Sequence, residues 1–282
     1  MVAGAMRCLY VDLDGTLLGP GASILRGAHG GFSGLGVRAL EACWRAGAEV
    51  VLYSGRKQSS VFEAARLIGS SAYIFELGCG LVVDDELEWL TGGVVPSAQR
   101  GTIFDQIGAS GAPALLLERY AGALEYHTPW SIGREVSHLF RGSVDLDEVR
   151  SQLAARGLEW LRLVDNGVVR VHAEQMPGLP IVHAYHLVPA VASKARAVAR
   201  HMQVRGYAPS ECIAVGDSRE DTDTADVVDC FWLVANALER DPDLTAEVSG
   251  RPSIRIASES YGAGVYEAVV TSLAEGGARR RA

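Results

Sequence analysis

Asp12 and Asp14 stand one residue apart at the end of the apolar run Leu9-Tyr10-Val11, where Gly15 and Thr16 mark a turn. Two carboxylates held that close repel each other and lose hydration, so the placement asks for a compensating cation. An aspartate can attack phosphorus and form an acyl-phosphate, dividing one displacement into two. A second carboxyl group can protonate the leaving alkoxide and then take a proton from the attacking water. Magnesium, a hard ion that prefers oxygen ligands, would relieve the repulsion and bind a phosphate oxygen. A hydroxyl and a lysine ammonium would hold the remaining phosphate oxygens. Three further stretches supply such groups: Tyr53-Ser54-Gly55-Arg56, "VGDSRED" at 215–221, and Lys194.

The elements around these stretches place them at strand ends. "CLYVDLD" reads as a strand, "LGVRALEACWRAG" as a helix, "AEVVLYSG" as a strand, "QSSVFEAARLIG" as a helix and "AYIFELG" as a strand. The pattern resumes late in the chain, with a helix in "KARAVARHMQVRG", strands in "ECIAVGD", "CFWLVAN" and "SIRIASE", and a last helix through "GVYEAVVTSLAEG". Strands alternating with helices of this length predict βαβ units and a parallel sheet, whose ligands bind beyond the carboxyl ends of its strands.

The middle of the chain differs. "GLVVDDELEWL" predicts two short strands around an acidic turn, and "LEWLRLVDNGVVRVHAE" a strand pair turning at Asp165-Asn166-Gly167. "IVHAYHLVP" predicts another strand, and helices are expected in "SAQRGTIFDQIGAS" and "DLDEVRSQLAARG". Hairpins mixed with helices predict an α+β unit. The expected organisation is a discontinuous core of 1–81 and 187–282, with an inserted cap over 82–186. Arg170 and His172 share a strand face, as do Trp160 and Arg162, and one such face is a candidate to look onto the site. His183 and His186 differ in strand parity, so ordinary hydrogen-bonded or exposed histidines are expected there rather than a metal site.

In order and spacing, "DLDGT", "SGR", Lys194 and "GDSRED" resemble the four motifs of the haloacid dehalogenase superfamily, and "VANALE" and "YGAGVYEAV" resemble later segments of its subclass IIB. The resemblance implies an α/β fold, a Rossmann-like parallel-sheet core with the α+β cap between the second and third motifs. By position it makes Asp12 the nucleophile, Asp14 the general acid/base, and Lys194 the bridge between nucleophile and phosphate. It puts Ser54, Gly55, Arg56, Lys194, Glu220 and Asn236 around substrate or phosphate. It implies Mg2+ held by Asp12, Asp217, the main-chain carbonyl of Asp14, and Asp221, the last through a water or by orienting Lys194. An aspartate at position 14 implies alkoxide departure: a phosphatase acting on a small phosphorylated metabolite, with a sugar phosphate expected. A sugar phosphomutase is the nearest alternative, and a non-catalytic sugar-phosphate-binding regulator a more distant one. Two positions depart from the subclass: Leu77 stands where Asn is common, and Glu220 where the fourth motif usually carries Asn. An ionised Glu220 cannot donate to phosphate, so it is expected to turn aside onto Lys194 or Arg219.

Composition excludes several classes. The net charge of −8 argues against a general nucleic-acid binder. No apolar stretch reaches the roughly 18 residues of a membrane span. "MVAGAMRCLY" lacks the pattern of a secretory signal, and the five scattered cysteines fit a reducing compartment, so a cytoplasmic location is expected. "GLGVRA" mimics a dinucleotide turn, but no strand precedes it.

Overall fold

A computed structural model of the chain describes residues 6–169, 176 and 178–279. The large sheet contains β1 (Cys8–Val11), β2 (Glu49–Tyr53), β3 (Ala72–Phe75), β4 (Gly80–Val83) and β5 (Glu86–Trp89). The second sheet contains β6 (Leu124–Tyr126), β7 (His138–Gly142), β8 (Leu161–Val168) and β9 (His183–Pro189). The chain then returns to the large sheet with β10 (Cys212–Gly216), β11 (Cys230–Leu233) and β12 (Ile254–Ile256). The large sheet runs β12-β11-β10-β1-β2-β3-β4-β5, parallel from β12 to β3, with β4 and β5 antiparallel at one edge.

Alternation along β1 divides the core between the two faces of this sheet. Leu9 and Val11 pack with the helices Leu35–Ala46, Gln58–Ile68 and Tyr261–Arg279. Cys8 and Tyr10 pack under the helix Lys194–Arg205 on the other face. Burial of each large aliphatic side chain contributes about 1.5–3 kcal/mol, enough to fix strand ends that carry repelling acids. Among the described residues no helix is long and apolar enough to cross a membrane.

The second sheet, β6-β7-β9-β8, is antiparallel. Its apolar face packs with the helices Ile103–Ala109, Ala112–Arg119 and Leu146–Ala154 in a core of its own, which also receives Leu77 and Cys79 from the large-sheet side. Leu77, at the position where the resemblance leads one to expect Asn, is fully buried there and serves packing.

The topology corrects the boundaries expected at 82 and 186. β4 and β5 pair onto β3, turning at Asp84 and Asp85 with φ of 49° and 68°, so this hairpin belongs to the large sheet. β9 runs on to Pro189 within the second sheet. An edge hairpin has the same alternation whichever sheet it joins, so its sequence does not say where it pairs. The Asp165-Asn166-Gly167 turn is corrected too. β8 continues through it, paired with β9, and absorbs an extra residue as a bulge between Asp165 and Val168. Gly167 takes a φ of 91° and its N–H donates to Asp165 Oδ1 at 2.8 Å, which is the chemistry of a tight turn used for a bulge. Arg170 and His172 lie outside the described residues. β6, β7 and the helix Ala112–Arg119 have no counterpart among the expected elements, and "SAQRGTIFDQIGAS" is helical only over Ile103–Ala109.

Candidate active site

Asp12, Ser54 and Asp217 each directly follow a strand, β1, β2 and β10, and these three are neighbours in the sheet. The Asp12 N–H donates to the Val215 carbonyl at 3.0 Å, which extends the β1–β10 ladder one step and points the Asp12 side chain from a fixed backbone. Carboxylate oxygens of Asp12, Asp217 and Asp221 lie within 4.8 Å of one another, and all three residues are buried. Lys194 Nζ donates to Asp12 Oδ1 and to Asp221 Oδ1, both at 2.7 Å, and sits 4.8 Å from the Tyr53 ring centre. The helix that begins at Lys194 is capped by Ser193, whose hydroxyl accepts from the Arg196 N–H. The ammonium thus starts from a fixed helix end.

Burial alone would lower the Lys194 ammonium, but Asp12 and Asp221 beside it hold it above its ordinary value. Burial pushes the Asp12 carboxyl up; Lys194 opposes this, while Asp221 and Asp217 add to it. Burial likewise pushes Asp217 up to about 6, against the pull of Arg240 and with Asp221 adding repulsion. Lys194 and Arg240 together do not neutralise three buried acids, and an all-oxygen set of this kind fits a hard divalent cation.

The three acids are not equivalent. Asp221 Oδ2 accepts from the Asp217 and Ser218 N–H groups and from the Ser218 hydroxyl, at 3.1, 3.0 and 2.7 Å, so with Lys194 on Oδ1 both oxygens are engaged. Asp217 Oδ1 accepts from the Thr16 hydroxyl at 3.0 Å, and Arg240 donates to Oδ2 at 2.7 Å. Gly15, at a φ of 92°, lets the turn pass beneath this carboxylate; a Cβ there would run into Asp217 Oδ2 and Arg240.

Asp14 is turned out of this cluster. Its half-exposed carboxylate receives a bidentate pair of hydrogen bonds from Arg56, both at 2.5 Å. Ser54 is buried, and its hydroxyl accepts from the Arg56 N–H at 3.2 Å. Asn236 is placed for the backbone rather than a ligand: its amide donates to the Gly15 carbonyl, and its carbonyl accepts from the Tyr261 N–H, each at 2.8 Å. Glu220 does turn aside, but onto neither expected cation. Arg162 of β8 reaches it at 2.8 Å across the gap between the sheets, while Arg219 pairs with Asp241 and Glu247. Burial pushes the Glu220 carboxyl up, and Arg162 opposes that.

The second sheet closes over Ser54 and Gly55 with residues that the motifs do not contain. Arg134 donates twice to the Gly55 carbonyl, at 3.1 and 2.8 Å. Glu76, at a φ of 45°, accepts from the backbone N–H groups of Glu135, Val136 and Ser137 at 2.8, 3.3 and 2.5 Å. The Ser137 hydroxyl is 3.1 Å from His186 Nδ1. A Cβ built on Gly55 would meet Asn166 Nδ2 at 3.1 Å and His186 Nε2 at 3.3 Å. Burial holds the His186 imidazole well below its usual range, with Arg134 and Lys194 adding to it. The bulge in β8 carries Asn166, and only the shared face of Trp160 and Arg162 hinted at this surface in sequence. His183 pairs with Asp165 at 2.8 Å, an ordinary structural histidine.

No family model matches the chain. A phosphoglycolate phosphatase from Methanococcoides burtonii is 24% identical over 278 residues, spanning 96% of this chain and 98% of its relative. Among solved structures, the sucrose-phosphatase of Synechocystis sp., in complex with sucrose and phosphate, superposes with a TM-score of 0.63 at 16% identity, covering 95% of this chain and 98% of that one. A phosphatase of the haloalkanoate (HAD) enzyme superfamily from Bacteroides thetaiotaomicron gives a TM-score of 0.60 at 18% identity over 95% of each chain.

Proposed function

We propose that the chain is a phosphoric monoester hydrolase of the haloacid dehalogenase superfamily, and that it removes phosphate from a small sugar phosphate through an aspartyl-phosphate on Asp12. The observation that carries this reading is the Lys194 ammonium shared between Asp12 and Asp221 inside a buried cluster of three acids. Such a lysine holds the nucleophilic carboxylate ionised and oriented, and offers its remaining N–H to a phosphate oxygen. Asp12 then attacks phosphorus while Ser54, Gly55 and Arg56 hold the phosphate at the end of β2.

Asp14 gives its proton to the leaving alkoxide and takes one from the water that opens the acyl-phosphate. Its bond to Arg56 links the two roles: a phosphate that draws the guanidinium away frees the Asp14 carboxyl for proton transfer. Asp12, Asp217 and the Asp14 main-chain carbonyl would hold Mg2+, which when bound supplies positive charge to the phosphoryl group in transfer. Asp221, whose carboxylate accepts four hydrogen bonds against two at Asp217, serves to orient Lys194 and the loop after β10.

The roof next to Gly55 favours hydroxylated substrates. Asn166 and His186 are neutral hydrogen-bonding groups, while Arg134 and Arg162 are already paired with Glu76 and Glu220. A second reading, a short phosphorylated acid, draws on the phosphoglycolate phosphatase relative. Phosphate release by purified protein with magnesium, across sugar phosphates, phosphoglycolate, phosphoglycerates and nucleotides, tests both. The sugar reading requires kcat/KM for the best sugar phosphate to exceed that for phosphoglycolate. The reverse order overturns it and leaves the hydrolase intact; no release from any ester refutes the hydrolase.

A further inference from the structure

A second constellation lies at the opposite end of the large sheet, about 13 Å along β1 from Asp12 at the usual rise per residue. Cys8 opens β1, and its directly paired neighbours are Cys212 on β10 and Glu49 on β2. In-register residues of parallel strands present side chains on one face, about 4.8 Å apart. The three therefore form a row across three strands. The helix Lys194–Arg205 covers that face and brings His201, fully buried, onto the row.

The ligand-type atoms of Cys8, Glu49 and His201 all lie within 4.8 Å of one another. His201 Nδ1 is 2.8 Å from the Tyr10 hydroxyl, which fixes the ring. Its Nε2 has no hydrogen-bond partner, and Glu49 Oε2 lies 3.6 Å from it. A fully buried nitrogen left unpaired among a thiol and a carboxylate costs stability unless something binds it.

We propose that Cys8, His201 and Glu49, joined by Cys212 from the position in register with Cys8, form a binding site for a borderline-soft divalent cation of the zinc type. Thiolate, imidazole and carboxylate are the ligands such an ion takes, four in number and tetrahedral. Ligand atoms about 2.0–2.3 Å from the ion stand about 3.3–3.8 Å from one another, so a contraction of roughly 1 Å brings Cys8, Glu49 and His201 onto it, and Cys212 completes the site by turning its Sγ toward them. The charges close. Binding expels the two thiol protons to solvent, leaving two thiolates and one carboxylate against a dication, and Arg205, already on Glu49 Oε1 at 3.0 Å, meets the remaining negative charge. With an ion on Nε2, the His201 Nδ1–H would donate to the Tyr10 hydroxyl, which fixes the tautomer and the ring orientation. The ion would join β1, β2 and β10 to the helix that begins at Lys194, and so hold the floor of the acidic cluster from below.

Cobalt is the probe, because a thiolate ligand gives a cobalt charge-transfer absorption that oxygen ligands alone do not. Full-length protein, reduced and stripped with chelator, should develop that band to saturation at one cobalt per chain. Zinc should bleach it and excess magnesium should not. Cys8→Ser should weaken zinc at least tenfold and diminish the band, while Cys43→Ser, remote from the row, should keep it. If Cys8→Ser does not fold, Glu49→Gln at the rim should weaken zinc while the band survives. Stoichiometric cobalt binding without the charge-transfer band would place the ion on the acidic cluster and overturn the proposal. So would no binding, or a band unchanged in both Cys8→Ser and Cys212→Ser.

Discussion

The two surfaces that meet over Ser54 are built on opposite plans. At the ends of β1 and β10 the charged groups are paired within one unit: Lys194 with Asp12 and Asp221, Arg240 with Asp217. From the second-sheet side, Arg134 reaches across to Gly55 and Glu76, Arg162 to Glu220, and the backbone of 135–137 to Glu76. The acidic cluster is thus paired without the roof, whereas Glu76 and Glu220 on the floor and Arg134 and Arg162 on the roof take their charge partners across the gap. On the proposed function, this difference would leave chemistry to the large sheet, and closure and selection to the second sheet.

The largest effect is expected on the floor. Lys194→Met leaves two buried carboxylates without their cation, and breaking a buried pair in this way costs about 3–5 kcal/mol. Denaturant unfolding should show that loss in magnesium-free protein, a smaller loss with magnesium present, and no phosphate release in either. A smaller effect follows at Asp14, whose half-exposed carboxyl contributes little to folding. Asp14→Asn should lower kcat about 10²- to 10⁴-fold, the usual share of a general acid, with the melting temperature unchanged.

The roof should behave differently. Arg162→Met and Glu220→Gln should each raise KM more than they lower kcat, because they loosen a contact between the units. A double-mutant cycle should give a coupling of about 0.5–3 kcal/mol. A zero coupling would remove this pair from closure. The smallest effect concerns pH. Glu135 is pushed up to about 7, by burial first and then by its hydrogen bond and repulsion with Glu76. A carboxyl raised in the folded state binds its proton more tightly there than in the unfolded chain. Its contribution is therefore whole below its unfolded value near 4.5 and fades as pH rises through about 7. Hydrogen exchange at 135–137 should quicken over that interval, and Glu135→Gln should flatten the dependence.

The floor was legible in the sequence because parallel strands buried on both faces read as apolar runs, and the polar residues that end them stand out. Asp12, Ser54 and Asp217 were placed on strand ends by that contrast, and Lys194 at the start of a helix by the helical pattern that follows it. The roof was not. Arg162 and Glu220 are 58 residues apart, and a partner for Glu220 was sought among nearby cations; which cation crosses between units depends on how the units pack. Asn166 was hidden for another reason. Asp-Asn-Gly satisfies a hairpin turn and a bulge equally well, since Gly supplies the positive φ that each requires, and only pairing with β9 distinguishes them. Asn236 matched a motif by position, but a motif does not say whether an amide faces a ligand or, as here, a turn.

The central claim is that Asp12 carries the phosphoryl group. Wild-type protein turning over its best substrate with magnesium, quenched and reduced with borohydride, should yield homoserine at position 12, the product of an aspartyl-phosphate. Asp12→Asn should yield none and release no phosphate. Phosphate release by wild type with Asp12 unmodified at every quench time, or continued turnover by Asp12→Asn, would contradict the account.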